Sequence, residues 1–292
     1  MLGKYSLSSR FGRDWLTARD DERLLLVRSA IVMGIDICVS LLASYLVYKT
    51  ITTFLIFPVE RGFYCRDIQD LSSPLLPNSV SQTHLLCATL LFPFMVVLFC
   101  EGVIFMRLSP STGRIPRFSA AVITLYIDYI VCFLLAVIVN QLCKCAIGRL
   151  RPNFLSVCNP RWERIDCSTG DMWVADAFCK GSSKAVKKAR TSCPSGHATV
   201  SVLAMCFLIA YFYRILPRSS LSGLLSWIRY CVLVLFYLWN GYCLVTRITD
   251  LWHFPSDVVW GALIGFSAAY IFFMRRVNVD YKKFHVVKVH SS

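Results

Sequence analysis

Apolar residues run in long blocks along this chain, separated by short polar connections rich in Pro, Gly and basic side chains. Six blocks, at 29–48, 84–107, 119–142, 198–216, 227–246 and 256–274, each approach the ~20 residues that an α-helix needs to cross about 30 Å of hydrocarbon. The pattern predicts an all-α polytopic membrane protein with six transmembrane helices and no repeats. It divides the chain into a polar segment over 1–28, a six-helix membrane domain over 29–274, and a tail over 275–292. The widest polar gap, 143–197, is too short for a large soluble domain of its own. The first 28 residues lack the apolar centre of a signal peptide, so the first block is expected to stay as an anchor. The C-terminal "KVHSS" carries no lipidation box.

Composition agrees with the pattern. Of 292 residues 56% are hydrophobic and 16% charged, with a mean hydropathy of +0.57; ordinary soluble domains are about 25% charged. The net charge of +14 could suggest nucleic acid, but its placement argues against that partner. Basic residues crowd the N-terminus, 107–117, 213–220 and 275–283, which six spans place on one side. The positive-inside bias makes that side cytoplasmic, together with both termini. The 143–197 loop then faces outward yet is also basic, which points to a binding task. In that loop Cys158, Cys167, Cys179 and Cys193 can form two disulfides in any of three pairings, with Cys65 as a fifth candidate. Asp36, Glu101 and Asp128 fall inside apolar blocks. Each costs roughly 2.5–3.5 kcal/mol against lipid, so they are expected to face the bundle interior.

Three polar clusters stand at expected helix ends on the outer face. In "KCAIGRLRP", Lys144 and Arg151 are seven residues apart, two helical turns, and Pro152 discourages further helix. In "TSCPSGHATVS", Ser192 is a candidate cap and Pro194 suits a first turn. Ser195, Gly196 and His197 then offer free backbone N–H groups to an anion. In "RITDLWHFPSD", Arg247 precedes His253 and Asp257, an i,i+4 pair in which the carboxylate can accept from one imidazole nitrogen and leave the other as a nucleophile. Taken singly, these clusters also read as snorkelling cations, an ordinary cap and a local His–Asp bond. Together, cations and N–H groups that hold a phosphate, with one imidazole to attack and one to protonate the leaving oxygen, are the requirements of phosphoryl transfer. No carboxylate cluster or paired Cys/His spacing suggests a metal site, and no cofactor is expected.

In residue type, order and spacing, Lys144 to Pro152, Pro194 to His197 and Arg247 to Asp257 resemble the three-part signature of the type-2 phosphatidate phosphatase superfamily. "RGFYCRD" (61–67), "GRLRPNFLSVCNP" (148–160) and Glu101 further resemble its lipid phosphate phosphatase branch. The resemblance implies that His253 is the nucleophile oriented by Asp257, and that His197 protonates the leaving group. Lys144, Arg151, Ser195, Gly196 and Arg247 match the phosphate-holding positions. It further implies Mg²⁺-independent hydrolysis of phosphatidate, lysophosphatidate, sphingosine-1-phosphate and ceramide-1-phosphate through a phosphohistidine on the extracellular or lumenal face. The expected setting is the plasma membrane, with endoplasmic reticulum and Golgi as alternatives, and a homo-oligomer is compatible with it. Two features depart from the pattern: Thr246 where the family usually has Ser, and the lack of any N-x-Ser/Thr sequon. The rival readings are a phosphatase for a soluble ester such as glucose-6-phosphate, and a catalytically dead membrane adaptor. "RGFYCRD" speaks against the first and the complete set of polar motif residues against the second. The basic run "KAVKKAR" (184–190) either draws anionic headgroups or is a solvated face.

Overall fold

The computed structural model describes residues 58–108, 114–175, 177–215 and 223–276, except Asp176, together with isolated helical positions between 34 and 49. Helix follows the apolar blocks. Helix α1 (Gln82–Leu86) passes through a π-helical segment (Cys87–Leu91) into α2 (Phe92–Leu108), and α3 (Arg114–Ile147) follows. The short helices α4 (Phe154–Cys158) and α5 (Ser183–Ala189) precede three longer ones, α6 (Gly196–Ala210), α7 (Gly223–Thr249) and α8 (Pro255–Arg276). Among the described residues four stretches are long and apolar enough to cross a membrane: Gln82–Met106, Leu125–Ile147, Gly196–Tyr213 and Leu225–Thr249. The sixth expected block is α8, a helix of 22 residues. The 29–48 block is described only at isolated helical positions, and the 1–28 segment lies outside the described residues, as does the tail beyond Arg276. The all-α polytopic class stands on these helices.

Helix α6 forms the centre of the bundle, with Ala198, Leu203, Ala204, Phe207 and Leu208 fully buried. Helix α8 can approach it closely because it presents glycine there. A Cβ on Gly261 would stand 2.3 Å from the Ser195 carbonyl oxygen, and one on Gly265 would stand 2.2 Å from that of Thr199. Tyr129 of α3 stacks on Phe207 at 4.3 Å between ring centroids. Glu101 is buried and accepts a hydrogen bond from the Tyr211 hydroxyl (3.1 Å), and Asp128 is buried as well. Both acidic groups therefore face inward as expected; Asp36 lies outside the described residues.

The π-helical segment has a local cause. Pro93 has no N–H to donate to the carbonyl four residues back, that of Thr89. The Phe92 N–H reaches instead to the Cys87 carbonyl, closing a wider turn. The Thr89 carbonyl accepts from the Tyr129 hydroxyl, and that of Leu90 from Tyr126 at 2.8 Å.

Beyond the helix ends, the 58–81 and 149–192 connections fold together as one cap. Strand β1 (Phe63–Tyr64) pairs antiparallel with β2 (Trp173–Val174), with Phe63 opposite Val174. Phe63, Leu71, Phe154, Leu155, Val174 and Val186 form a small core of their own. Disulfides Cys65–Cys167 and Cys158–Cys179 tie it, while Cys193 is free and buried. The fifth candidate, Cys65, thus takes a place among the bridges and Cys193 does not.

Candidate active site

The first side of the site is the end of α3. Lys144 sits in its last turn, and Gly148 stops the helix with φ +60°, its N–H bonded to the Lys144 carbonyl at 3.0 Å. A side chain at Gly148 would run into the Val59 carbonyl at 2.2 Å, so the cap packs directly on the helix end. The two-turn helical relation expected for Lys144 and Arg151 therefore does not hold, since the helix ends at Ile147. Arg151 is fixed by the cap: its N–H bonds the Ala189 carbonyl at 2.9 Å and Nη2 bonds that of Thr191 at 3.3 Å. Its guanidinium lies 5.1 Å from the Trp252 ring centre, and the Lys188 ammonium 5.2 Å from the same ring.

The second side is the start of α6. Here Ser195, not Ser192, occupies the N-cap position, and Pro194 stands outside the helix after a cis peptide bond to Cys193. The Ser195 N–H is not free, because it bonds the Asp257 carbonyl at 2.9 Å. Gly196 and His197 open the helix, and their N–H groups have no partner within it. A Cβ on Gly196 would lie 3.6 Å from Lys144 Nζ, so the ammonium stands over the open face of this glycine. His197 Nε2 lies 3.2 Å from the Val80 carbonyl, which can only accept, so this nitrogen carries its hydrogen.

The third side is the turn between α7 and α8. Arg247, in the last turn of α7, is almost wholly buried. It donates from Nη1 to Asn78 Oδ1 (2.8 Å) and from Nη2 to Asp250 Oδ2 (3.1 Å). Thr246 directs its hydroxyl into its own helix, to the Cys243 carbonyl at 2.9 Å. His253 precedes α8 rather than belonging to it, so the expected helical i,i+4 geometry is replaced by a turn that begins with Leu251 at φ +59°. Pro255 takes the first position of α8, as its missing N–H allows.

The turn still brings His253 Nδ1 to 3.9 Å from Asp257 Oδ2, close but beyond direct hydrogen bonding. The fully buried Asp257 carboxylate accepts instead from Ser192 Oγ (2.6 Å), Arg149 Nη1 (2.7 Å) and the Phe254 N–H (3.0 Å). Burial pushes the His253 imidazole down to about 3; Asp257 opposes this, while Arg151 and Lys144 add to it. The ring is therefore neutral at pH 7, with a lone pair on one nitrogen. Burial lowers Arg151 only to about 10, so it stays charged.

All of these groups occupy one end of the bundle. Lys144, Arg151 and Arg247 all lie within electrostatic range of His197. Four buried polar atoms without partners among the described residues belong here: Arg151 Nε, Arg247 Nε, Ser195 Oγ and His253 Nδ1. Each unsatisfied group costs about 1–3 kcal/mol, and that cost falls when an oxygen-rich anion enters. Sequence reasoning did not single out Arg149, although it stands inside the first motif. Nor did it single out Asp250, although the i,i+3 spacing from Arg247 was a signal that could have found it. The Leu76–Val80 strap gave no signal. Yet it bonds Trp252 Nε1 through the Leu76 carbonyl (3.0 Å), Arg247 through Asn78, Asp250 through Ser79 (2.8 Å) and His197 through Val80.

Residues 125–280 match the family model described as the PAP2 superfamily, a stretch that contains all three helix ends. The chain belongs to the PAP2 superfamily. Among relatives of this PAP2 protein, bovine phospholipid phosphatase 2 is 35% identical over 74% of this chain and 72% of its own length. Human phospholipid phosphatase 2 is 34% identical over 74% of this chain and 73% of its own. Mouse phospholipid phosphatase 1 is 28% identical over 73% of each. No solved structure matches the chain. The strap at 76–80 lies outside the segment matched by the PAP2 model, although it touches the side chains of Arg247, Asp250, Trp252 and His197.

Proposed function

We propose that this lipid phosphate phosphatase hydrolyses phosphatidate, lysophosphatidate, sphingosine-1-phosphate and ceramide-1-phosphate through a phosphohistidine, with no metal in the reaction. The observation that carries the reading is the set of unpartnered donors, Arg151 Nε, Arg247 Nε and Ser195 Oγ, gathered with Lys144 at the opening of α6. Guanidinium, ammonium and helix N–H groups are the donors a phosphate dianion needs, and they stabilise its equatorial oxygens as charge redistributes. Nδ1 of His253 faces Asp257, which leaves Nε2 to attack phosphorus. The N–P bond forms as the P–O bond to the lipid breaks, and the departing oxygen takes a proton from His197 in its imidazolium form, which a bound phosphate dianion favours. Water, giving its proton back to His197, then displaces the imidazole and releases phosphate.

The two disulfides fit a site on the extracellular or lumenal side, where thiols are oxidised, with both termini cytoplasmic. The test is phosphate release by purified protein from a panel of these lipids and glucose-6-phosphate, with EDTA present and His253→Ala as control. Lipid turnover in EDTA that His253→Ala abolishes is the expected result. Turnover retained by His253→Ala, or lost in EDTA and restored by Mg²⁺, would refute the mechanism, and preference for glucose-6-phosphate would refute the substrate class.

A further inference from the structure

A pocket of about 530 Å³ opens between the α1–α2 helix and α7, on the His197 side of the site. Ser79, Val80 and His84 form its mouth; Cys87, Ala88 and Phe92 line one wall, and Trp239 and Tyr242 the other. Resting on the phosphatase reading above, we propose that this pocket receives the lipid portion of the substrate, its backbone at Ser79 and His84 and its chain along Ala88, Phe92, Trp239 and Tyr242.

Reaction geometry selects this pocket. Attacking and leaving atoms stand roughly in line across phosphorus, so the lipid points away from His253 and toward the group that protonates it. His197 lies against Val80, whose carbonyl it bonds at 3.2 Å, and Val80 is part of the pocket mouth. Ser79, beside it, bonds Asp250, which holds Arg247, so the mouth is tied to the phosphate side at 2.8 and 3.1 Å. Polarity follows the same direction. From Ser79 and His84 the walls become apolar over the ~12 Å of helical rise between His84 and Phe92, the order of polar backbone and hydrocarbon in a lipid. The wall itself is shaped by the π-helical turn of Cys87–Leu91 that Pro93 causes, and such turns recur at functional sites. Phe92 and Tyr242 remain partly exposed, so the pocket opens sideways, where a chain can enter from the bilayer. A second groove of about 440 Å³, between α3 and α8, is lined by Leu135, Val139, Trp260 and Ile264 without a comparable polar mouth. Its α8 wall begins at Trp260, about one turn after Asp257 on the same helix, and a leaving group in line with His253 points away from that helix.

The experiment compares full-length wild type, Ala88→Trp and, for the other groove, Ala136→Trp in mixed micelles, with oleoyl lysophosphatidate and chainless glycerol 3-phosphate as substrates. Ala88→Trp is expected to lower kcat/KM for the lipid by about tenfold or more and for glycerol 3-phosphate by less than about threefold. Selective loss from Ala136→Trp but not Ala88→Trp, or no loss from Ala88→Trp, overturns the pocket while leaving the phosphatase reading intact. Wild type that releases no phosphate from any lipid overturns both. A readout independent of turnover uses the exposed Cys87 in His253→Ala protein, with exposed Cys231 as reference. Lysophosphatidate should slow Cys87 alkylation and leave Cys231 unchanged; an unprotected Cys87 overturns the pocket.

Discussion

Replacing Arg149 by Met tests whether Asp257 acts only as well as it is held. Arg149 Nη1 lies 2.7 Å from Asp257 Oδ1 and 2.7 Å from Ser256 Oγ, with its guanidinium 4.5 Å over the Phe254 ring. The carboxylate has no solvent exposure, so the lost donor is not replaced by water without rearrangement. A charge-assisted hydrogen bond contributes ~1.5–3 kcal/mol. The Arg149 side chain is 38% exposed, and screening favours the lower part of that range. About 1.5–2 kcal/mol corresponds to roughly a 10–30-fold change in rate, if the carboxylate's position sets that of His253. On the proposed assignment Lys144, Arg151 and Arg247 still hold phosphate, so the loss belongs in kcat, with KM within about threefold of wild type. Arg149→Lys keeps a charge near both oxygens and should regain part of the rate. Steady-state hydrolysis of lysophosphatidate, paired with a melting curve to establish folding, makes the measurement. A folded Arg149→Met protein with wild-type kcat, or with its whole loss in KM, would refute the positioning role.

Three further outcomes are expected. Gly261→Leu places carbon against the Ser195 carbonyl and should separate α8 from α6, abolishing activity and lowering Tm; an active, equally stable variant would contradict the packing. Cys65→Ser opens a bridge spanning 102 residues and Cys158→Ser one spanning 21, so chain entropy predicts the larger loss, up to about 4–5 kcal/mol, for Cys65→Ser. Equal melting of the two variants would rule that account out. Below about pH 6.5 the unfolded chain binds a proton that native His253, held near 3, does not, so wild-type stability should fall with pH relative to His253→Gln by up to about 1.4 kcal/mol per pH unit. Parallel Tm–pH curves for the two proteins would show that the native imidazole is not depressed.

The helices were legible because hydrocarbon requires long apolar runs, and blocks such as 84–107 can be counted. Chemical type was legible too: Lys144, Arg151, His197, Arg247, His253 and Asp257 all come to one end of the bundle. The reasons that sequence offered for their meeting were less durable. Helical phase was invoked for Lys144 with Arg151 and for His253 with Asp257, yet each pair is divided by a helix end, at Ile147 and at Pro255. Turns and the cap bring them together, and a turn's direction depends on partners far along the chain. Leu251 at positive φ gives no signal of that kind, since Leu is not a residue that favours it. Ser192 shows the same limit, because a serine before a helix is expected to cap it, and here it serves a carboxylate 65 residues away.

The strap at 76–80 carries this argument to the substrate. Its bonds to Arg247, Asp250, Trp252 and His197 span at least 117 positions, so no local pattern encodes them. It also lies outside the segment matched by the family model, whereas the helix ends carrying Lys144, His197 and Arg247 lie inside it. Groups that hold phosphate face the same chemistry whatever the ester, but on the proposed mechanism the wall beside His197 must fit the alcohol that leaves. If Val80 and its neighbours form that wall, exchanging 76–92 with a relative's segment should move lipid preference and leave hydrolysis of glycerol 3-phosphate nearly unchanged. Equal changes on both substrates would mean that the strap only holds the helix ends in place.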